Sequence, residues 1–187
     1  MRVRPRIQWF LEPVGRMLSS LGVTPTAVTL FGFAVVVAGA IVIGLGHPVS
    51  GGIIALVGAA IDGLDGSVAR AADKESGRGA FLDALVDRLG EIAVLAGLAV
   101  AQRENARVLL LVALSLGGAM LIPYIRAKAE AVGVDGRGGA VGRAERVILV
   151  TLGLVTGFVE PMLWILVVLS WLTAGQRFVN TYRAIDH

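Results

Sequence analysis

An all-α membrane protein, six transmembrane helices behind an N-terminal interfacial amphipathic helix, is the fold class that the sequence predicts. Three observations predict it. Of the 187 residues 56% are hydrophobic and the mean hydropathy is +0.78, far above that of a soluble domain. Apolar runs repeatedly reach the ~20 residues that a helix needs to cross a bilayer. The 25 glycines supply the small residues that let membrane helices approach closely.

Residues 5–21 put Trp9, Phe10, Val14, Met17, Leu18 and Leu21 on one broad face, with Arg6, Glu12, Arg16 and Ser19 elsewhere. That is a helix for the interface, bent at Pro13, with Trp9 at the headgroup level. Pro5, Gln8, Glu12 and Pro13 interrupt the basic start, which therefore does not read as a cleavable signal peptide. Thr24 followed by Pro25 is a hydroxyl cap with proline at the first helical position, and it opens a span to about Leu45. The second span runs from about Gly51 to Ala72 and carries Asp62 and Asp65 near its end. The third begins near Ala80, with Asp83 and Asp87 in its first turns. A fourth covers about Ala106 to Ala131, a fifth about Ala140 to Val159 beyond a glycine-rich connection, and a sixth about Pro161 to Val179. Residues 1–187 thus form one membrane domain, 1–22 the interfacial helix and 23–187 the six-helix bundle.

Six spans place both termini on one side. All but two, Arg103 and Arg107, of the 17 Lys and Arg residues lie on that side, which the positive-inside rule makes cytoplasmic. A multi-pass protein of the cell membrane is expected, its acid pairs opening toward the cytoplasm. The chain has no cysteine, so disulfide and thiolate chemistry are excluded. His47 and His187, in a loop and at the end of the chain, read as solvated. The net charge of +3 is not gathered into a basic stripe with interleaved aromatics, so nucleic acid is not an expected partner.

Asp62 and Asp65 are three apart, Asp83 and Asp87 four apart, spacings that put each pair on one helical face. An Asp inside a membrane costs ~3 kcal/mol on insertion scales. Four together need compensation, and a divalent cation bound by carboxylate oxygens provides it. Gly66 and Ala69 keep the same flank open to a bulky ligand, Arg70 offers phosphate a bidentate fork, and Gly79 allows close approach at the next helix. A cation transporter is the competing class, since intramembrane acids also mark ion pathways. The acids cluster at one level rather than along a path, and no inverted repeat is present, which favours an enzyme.

Written as a pattern, the stretch is D-x2-D-G-x2-A-R-x8-G-x3-D-x3-D, complete from Asp62 to Asp87. It resembles the signature of the CDP-alcohol phosphatidyltransferase family. The resemblance implies transfer of a phosphatidyl or archaetidyl group from a CDP-linked lipid to an alcohol hydroxyl, with release of CMP. It implies two divalent cations, Mg²⁺ or Mn²⁺, on Asp62, Asp65, Asp83 and Asp87, with Asp87 also the general base. It further implies a CDP-lipid pocket made of Thr24, Pro25, Thr26, Ala27, Gly66, Ala69, Arg70, Ser76 and Gly79.

Outside the signature, Arg126, Lys128, Arg143, Arg146 and Arg177 gather at one membrane level. Positive-inside charge explains many such clusters, but a phosphorylated polyol would need this one and a neutral acceptor would not. The segments from Tyr124 to Gly133 and from Arg143 to Arg146 resemble those of phosphatidylinositol phosphate synthases and their archaeal ether-lipid relatives. That likeness implies inositol 1-phosphate as acceptor, its phosphate on Arg126, Arg146 and Arg177 with Lys128 and Arg143 beside them. Arg126 stands where a Lys is common. Glycerol 3-phosphate is the main competing acceptor. Arg88 and Glu91 either orient or neutralise the site or pair with each other. Gly153 and Gly157 favour close helix packing and, less directly, a homodimer.

Overall fold

The structure, a computed structural model, describes residues 13, 15–18, 20–71 and 76–185, and all of their side chains except those of residues 70 and 71. The interfacial helix expected over residues 1–22 lies largely outside the described residues. Gly15, which is described, packs against the backbone of Ser67. From Pro25 onward seven helices follow one another, residues 13, 15–18 and 20 are also helical, and no strand occurs among the described residues.

Helix α1 (Pro25–Gly44) begins as its sequence requires, with Thr24 Oγ1 accepting the Ala27 N–H at 3.2 Å ahead of Pro25. It stops at Gly46, whose φ of 90° suits only glycine. Helix α2 (Pro48–Asp62) again starts on proline. A turn at Gly63 and Leu64 then separates it from the short α3 (Asp65–Ala71), so the second expected span is broken between its two acids. Helix α4 (Gly77–Ala101) is capped by Ser76, whose Oγ accepts the Gly79 N–H at 3.1 Å. Asn105 caps α5 (Ala106–Ala131) in the same way, accepting from Val108 N at 3.2 Å. Helix α6 (Arg143–Thr156) starts three residues later than expected and ends at Gly157. Helix α7 (Val159–Ile185) outruns its expected end at Val179.

Four segments are long and apolar enough to cross a membrane: Pro25–Gly44, Pro48–Ala69, Ala106–Ala131 and Val159–Ile185. The other two expected spans differ for physical reasons. α4 carries Arg78, Asp83, Asp87, Arg88 and Glu91 between its start and a little past its middle. α6, at 14 residues, is about 21 Å long against a hydrocarbon core of ~30 Å.

α1 lies between α2 and α4, α5 pairs with α7, and α6 packs on both α2 and α7. Glycines set how close α1 and α2 come. A Cβ on Gly39 would sit 2.6 Å from Ala55 N, and one on Gly32 would sit 2.7 Å from Asp62 N. The two backbones therefore touch, and Asp62 is pressed against α1. At the far end of the bundle Ile43, Leu95, Leu98, Leu111, Leu154, Leu163 and Leu166 form a closed apolar core. Leu30, Phe31, Ile41, Trp164 and Trp171 are exposed around the outside, an apolar surface suited to lipid.

Candidate active site

Asp62 ends α2, and Asp83 and Asp87 lie one turn apart on α4, so α1 brings both helix ends together. One carboxylate oxygen from each of the three lies within 4.8 Å of the other two. Oxygens that close are within reach of one divalent cation, whose bonds to carboxylate oxygens run ~2.0–2.6 Å. Asp62 is 2% exposed, and its Oδ1 has no hydrogen-bond partner among the described residues. A buried carboxylate oxygen left in this state costs free energy unless a cation meets it. The donor set therefore fits a divalent metal: hard oxygen ligands, converging, one of them orphaned.

Asp65 stands apart from this triad. The turn at Gly63 and Leu64 breaks the helical register that would have kept it on the face of Asp62. Thr29, buried in α1, donates its Oγ1 hydrogen to Asp65 Oδ2 at 2.7 Å and fixes that carboxylate. Its charge still bears on Asp62 and Asp83. Beside it opens a cleft of about 530 Å³ lined by Pro25, Thr26, Thr29, Asp65, Gly66, Ser76, Gly79 and Asp83. Of the expected CDP-lipid residues, Pro25, Thr26, Gly66, Ser76 and Gly79 line this cleft. Thr24 and Ala27 form the cap of α1 at its edge. Ala69 is half-buried on α3, and the side chain of Arg70 lies outside what is described.

Two arginines enter from α6. A cation at a helix N-terminus opposes the helix dipole, so each needs an acid. Arg143 finds two, with Nη2 on Asp62 Oδ2 at 3.3 Å and Nη1 on Asp87 Oδ1 at 2.5 Å. Arg146, 1% exposed, grips Glu91 with a fork, Nε to Oε1 at 2.7 Å and Nη2 to Oε2 at 2.9 Å. Such a pair offsets the cost of burying either charge alone.

Across from the acids the positive charges of Arg126, Arg146 and Arg88 all bear on Arg177. Arg177 Nε donates to Gly138 O at 2.7 Å, and its Nη1 donates to Ile122 O at 3.2 Å, beside Pro123 in α5. Arg126 Nε donates to Glu130 Oε1 at 2.8 Å. Three of the five expected acceptor residues, Arg126, Arg146 and Arg177, are thus brought together, and two are not. Lys128 is two residues from Arg126 and so faces elsewhere on α5. Its ammonium lies 5.8 Å from the Tyr124 ring centroid, in a separate groove with Phe178 and Tyr182. Arg143 is drawn to the carboxylates.

Sequence reasoning gave Thr29 no role, and it left Arg88 and Glu91 open. Thr29 meets Asp65 only because the glycines seat α1 on α2, and no local spacing signals that. The Arg146–Glu91 pairing is equally long-range.

Comparison with known proteins gives the site its setting. Residues 22–175 match the family model described as CDP-alcohol phosphatidyltransferase. The chain is 33% identical to an archaetidylinositol phosphate synthase of Pyrococcus horikoshii, over 99% of this chain and 97% of that one. It is 37% identical to a phosphatidylinositol phosphate synthase of Mycobacterium marinum, over 91% of this chain and 79% of the relative. Among solved structures, Mycobacterium tuberculosis phosphatidylinositol phosphate synthase in complex with manganese and citrate superposes with a TM-score of 0.85 at 31% identity, covering 92% of this chain and 88% of that chain. The same enzyme with CDP-DAG bound gives 0.84 at 32%, covering 92% and 93%. The chain belongs to the CDP-alcohol phosphatidyltransferase family, and it is an enzyme that transfers a substituted phosphate group.

Proposed function

We propose that the enzyme transfers the lipid phosphate of a CDP-linked donor to inositol 1-phosphate and releases CMP. The observation that carries this reading is the juxtaposition of the Asp62, Asp83 and Asp87 oxygens with a cluster of arginines at the same end of the bundle. The names of the archaetidylinositol and phosphatidylinositol phosphate synthases support the acceptor. A manganese complex and a CDP-DAG complex of a relative support the metal and the donor.

Asp62, Asp65, Asp83 and Asp87 hold two divalent cations, Mg²⁺ or Mn²⁺, with Thr29 orienting Asp65. Bound there, the cations neutralise charge on the diphosphate. Pro25, Thr26, Gly66, Ser76 and Gly79 receive the cytidine diphosphate, with Thr24, Ala27, Ala69 and Arg70 around them. Arg126, Arg146 and Arg177 hold the acceptor's phosphate and aim its hydroxyl at the lipid-bearing phosphorus. The new P–O bond forms as the bond to CMP breaks, CMP leaves, and the hydroxyl proton passes to Asp87. The four clear spans are joined in the bilayer by α4 and α6, making six. The one-sided distribution of Lys and Arg residues supports a site at the cytoplasmic face. Membrane lipids surround the apolar belt, and a homodimer is the expected assembly.

Purified protein offered CDP-diacylglycerol or CDP-archaeol tests this reading. CMP release should require a divalent cation and inositol 1-phosphate. Release with glycerol 3-phosphate alone, or with serine alone, overturns the acceptor while leaving the family reading intact.

A further inference from the structure

We infer that Arg88 is a positioning residue that ties the acceptor's phosphate to Asp87, an inference that rests on the acceptor reading above. Arg88 follows Asp87 on α4, so the helix turns it away from the carboxylate triad and toward the cluster with Arg177. One end of its guanidinium stays with the acids, Nη2 lying 3.4 Å from Asp87 Oδ2. The other end is unexplained. Its Nε is buried and has no hydrogen-bond partner among the described residues, a state that is rare in native proteins.

Charge balance points the same way. Glu91 takes up the charge of Arg146, and Glu130 that of Arg126. Among the described residues Arg177 donates to carbonyl oxygens, those of Gly138 and Ile122, and pairs with no carboxylate. Arg88 shares Asp87 with Arg143. The excess positive charge available to a phosphate monoester, which carries about −1.5 to −2 at neutral pH, therefore comes from Arg177 and Arg88. A guanidinium presents donors in a fixed fork, so one end can meet a phosphate oxygen while the other holds the carboxylate. Acceptor binding and placement of the base would then be one event.

Arg88→Gln and Arg88→Lys test this. Steady-state kinetics are run with CDP-diacylglycerol and inositol 1-phosphate, and calorimetry measures inositol 1-phosphate and CMP binding to the metal-loaded proteins. In Arg88→Gln the acceptor KM and Kd should rise by about tenfold or more, the effect of a lost charge-assisted hydrogen bond, with kcat also lowered. CMP affinity and the donor KM should stay as in the wild type, which shows the fold intact. Arg88→Lys should recover most of the acceptor affinity but little of kcat, because one ammonium cannot span both partners. An unchanged acceptor Kd in Arg88→Gln overturns the inference. So does a parallel loss of CMP binding, which marks a structural role. Wild-type protein that releases no CMP with inositol 1-phosphate refutes the acceptor reading instead, and the two failures are distinct.

Discussion

The carboxylates of Asp62, Asp83 and Asp87 come from α2 and α4, which follow one another with only α3 between, whereas the guanidiniums of Arg88, Arg126, Arg146 and Arg177 come one each from α4, α5, α6 and α7. The acidic half is left under-satisfied, with Asp62 Oδ1 buried and unbonded. The cationic half is more nearly met within the protein, by Glu91, Glu130 and two carbonyls, with Arg88 Nε the exception among the described residues. A group of like charges only partly met from inside, here by Arg143 and Arg88, can hold an ion from outside. One balanced internally can bind and release a soluble anion in every cycle. The contrast suits the first half to a retained cation and, on the proposed reading, the second to a substrate that comes and goes.

The largest effect that separates the halves is expected from Asp87→Asn. Loss of a general base costs ~10²–10⁴-fold in rate, and here a metal ligand is weakened as well. Turnover should fall by at least ~10²-fold while CMP binding largely persists. Near-normal turnover removes Asp87 as the base.

On the cationic side, Arg146→Ala should raise the acceptor KM and also destabilise the fold by ~3–5 kcal/mol, because it strands buried Glu91. The double substitution Arg146→Met with Glu91→Leu should recover the stability, measured by thermal unfolding in detergent, but not the acceptor affinity. Recovery of both would make the pair purely structural.

Thr29→Val sharpens the acidic side. Removing the partner that orients a metal ligand typically costs ~10–100-fold in affinity, so manganese titration should show weakened binding with little change in acceptor KM. Gly32→Ala should act on the same half by pushing α2 from α1, since its Cβ would fall 2.7 Å from Asp62 N. Overpacking of this kind costs ~1–3 kcal/mol. Gly175→Ala, with open space around it, serves as the matched neutral control. The smallest effect is expected from Lys128→Ala. An exposed cation outside the cluster should change acceptor KM by less than about twofold, and a tenfold rise would return Lys128 to the phosphate site.

The two halves also differ in how much of each is legible in the chain. Asp62, Asp65, Asp83 and Asp87 lie within one stretch whose spacings follow the helical repeat, so their convergence can be read locally. The break at Gly63 and Leu64 is what that repeat misses, and it moves Asp65 onto Thr29. The arginines are set by helix rotation and by partners far along the chain. Arg126 and Lys128 look equivalent in sequence, yet two helical steps point them apart. Arg143 and Arg146 share a helical turn, yet different acids claim them. Composition and apolar runs give the helical membrane fold at once. They say less about α4, which carries five charged residues up to Glu91, and α6, which has 14 residues, and neither is among the four segments long and apolar enough to cross a membrane.

On the proposed reading the acidic half holds the metal and the cationic half holds the acceptor phosphate. Diffraction at the manganese absorption edge, from crystals grown with Mn²⁺ and inositol 1-phosphate, tests it most directly. Anomalous peaks are expected among Asp62, Asp65, Asp83 and Asp87, and phosphate density bounded by Arg88, Arg126, Arg146 and Arg177. Manganese bound away from those carboxylates, or the phosphate seated beside Lys128 and Tyr124, contradicts it.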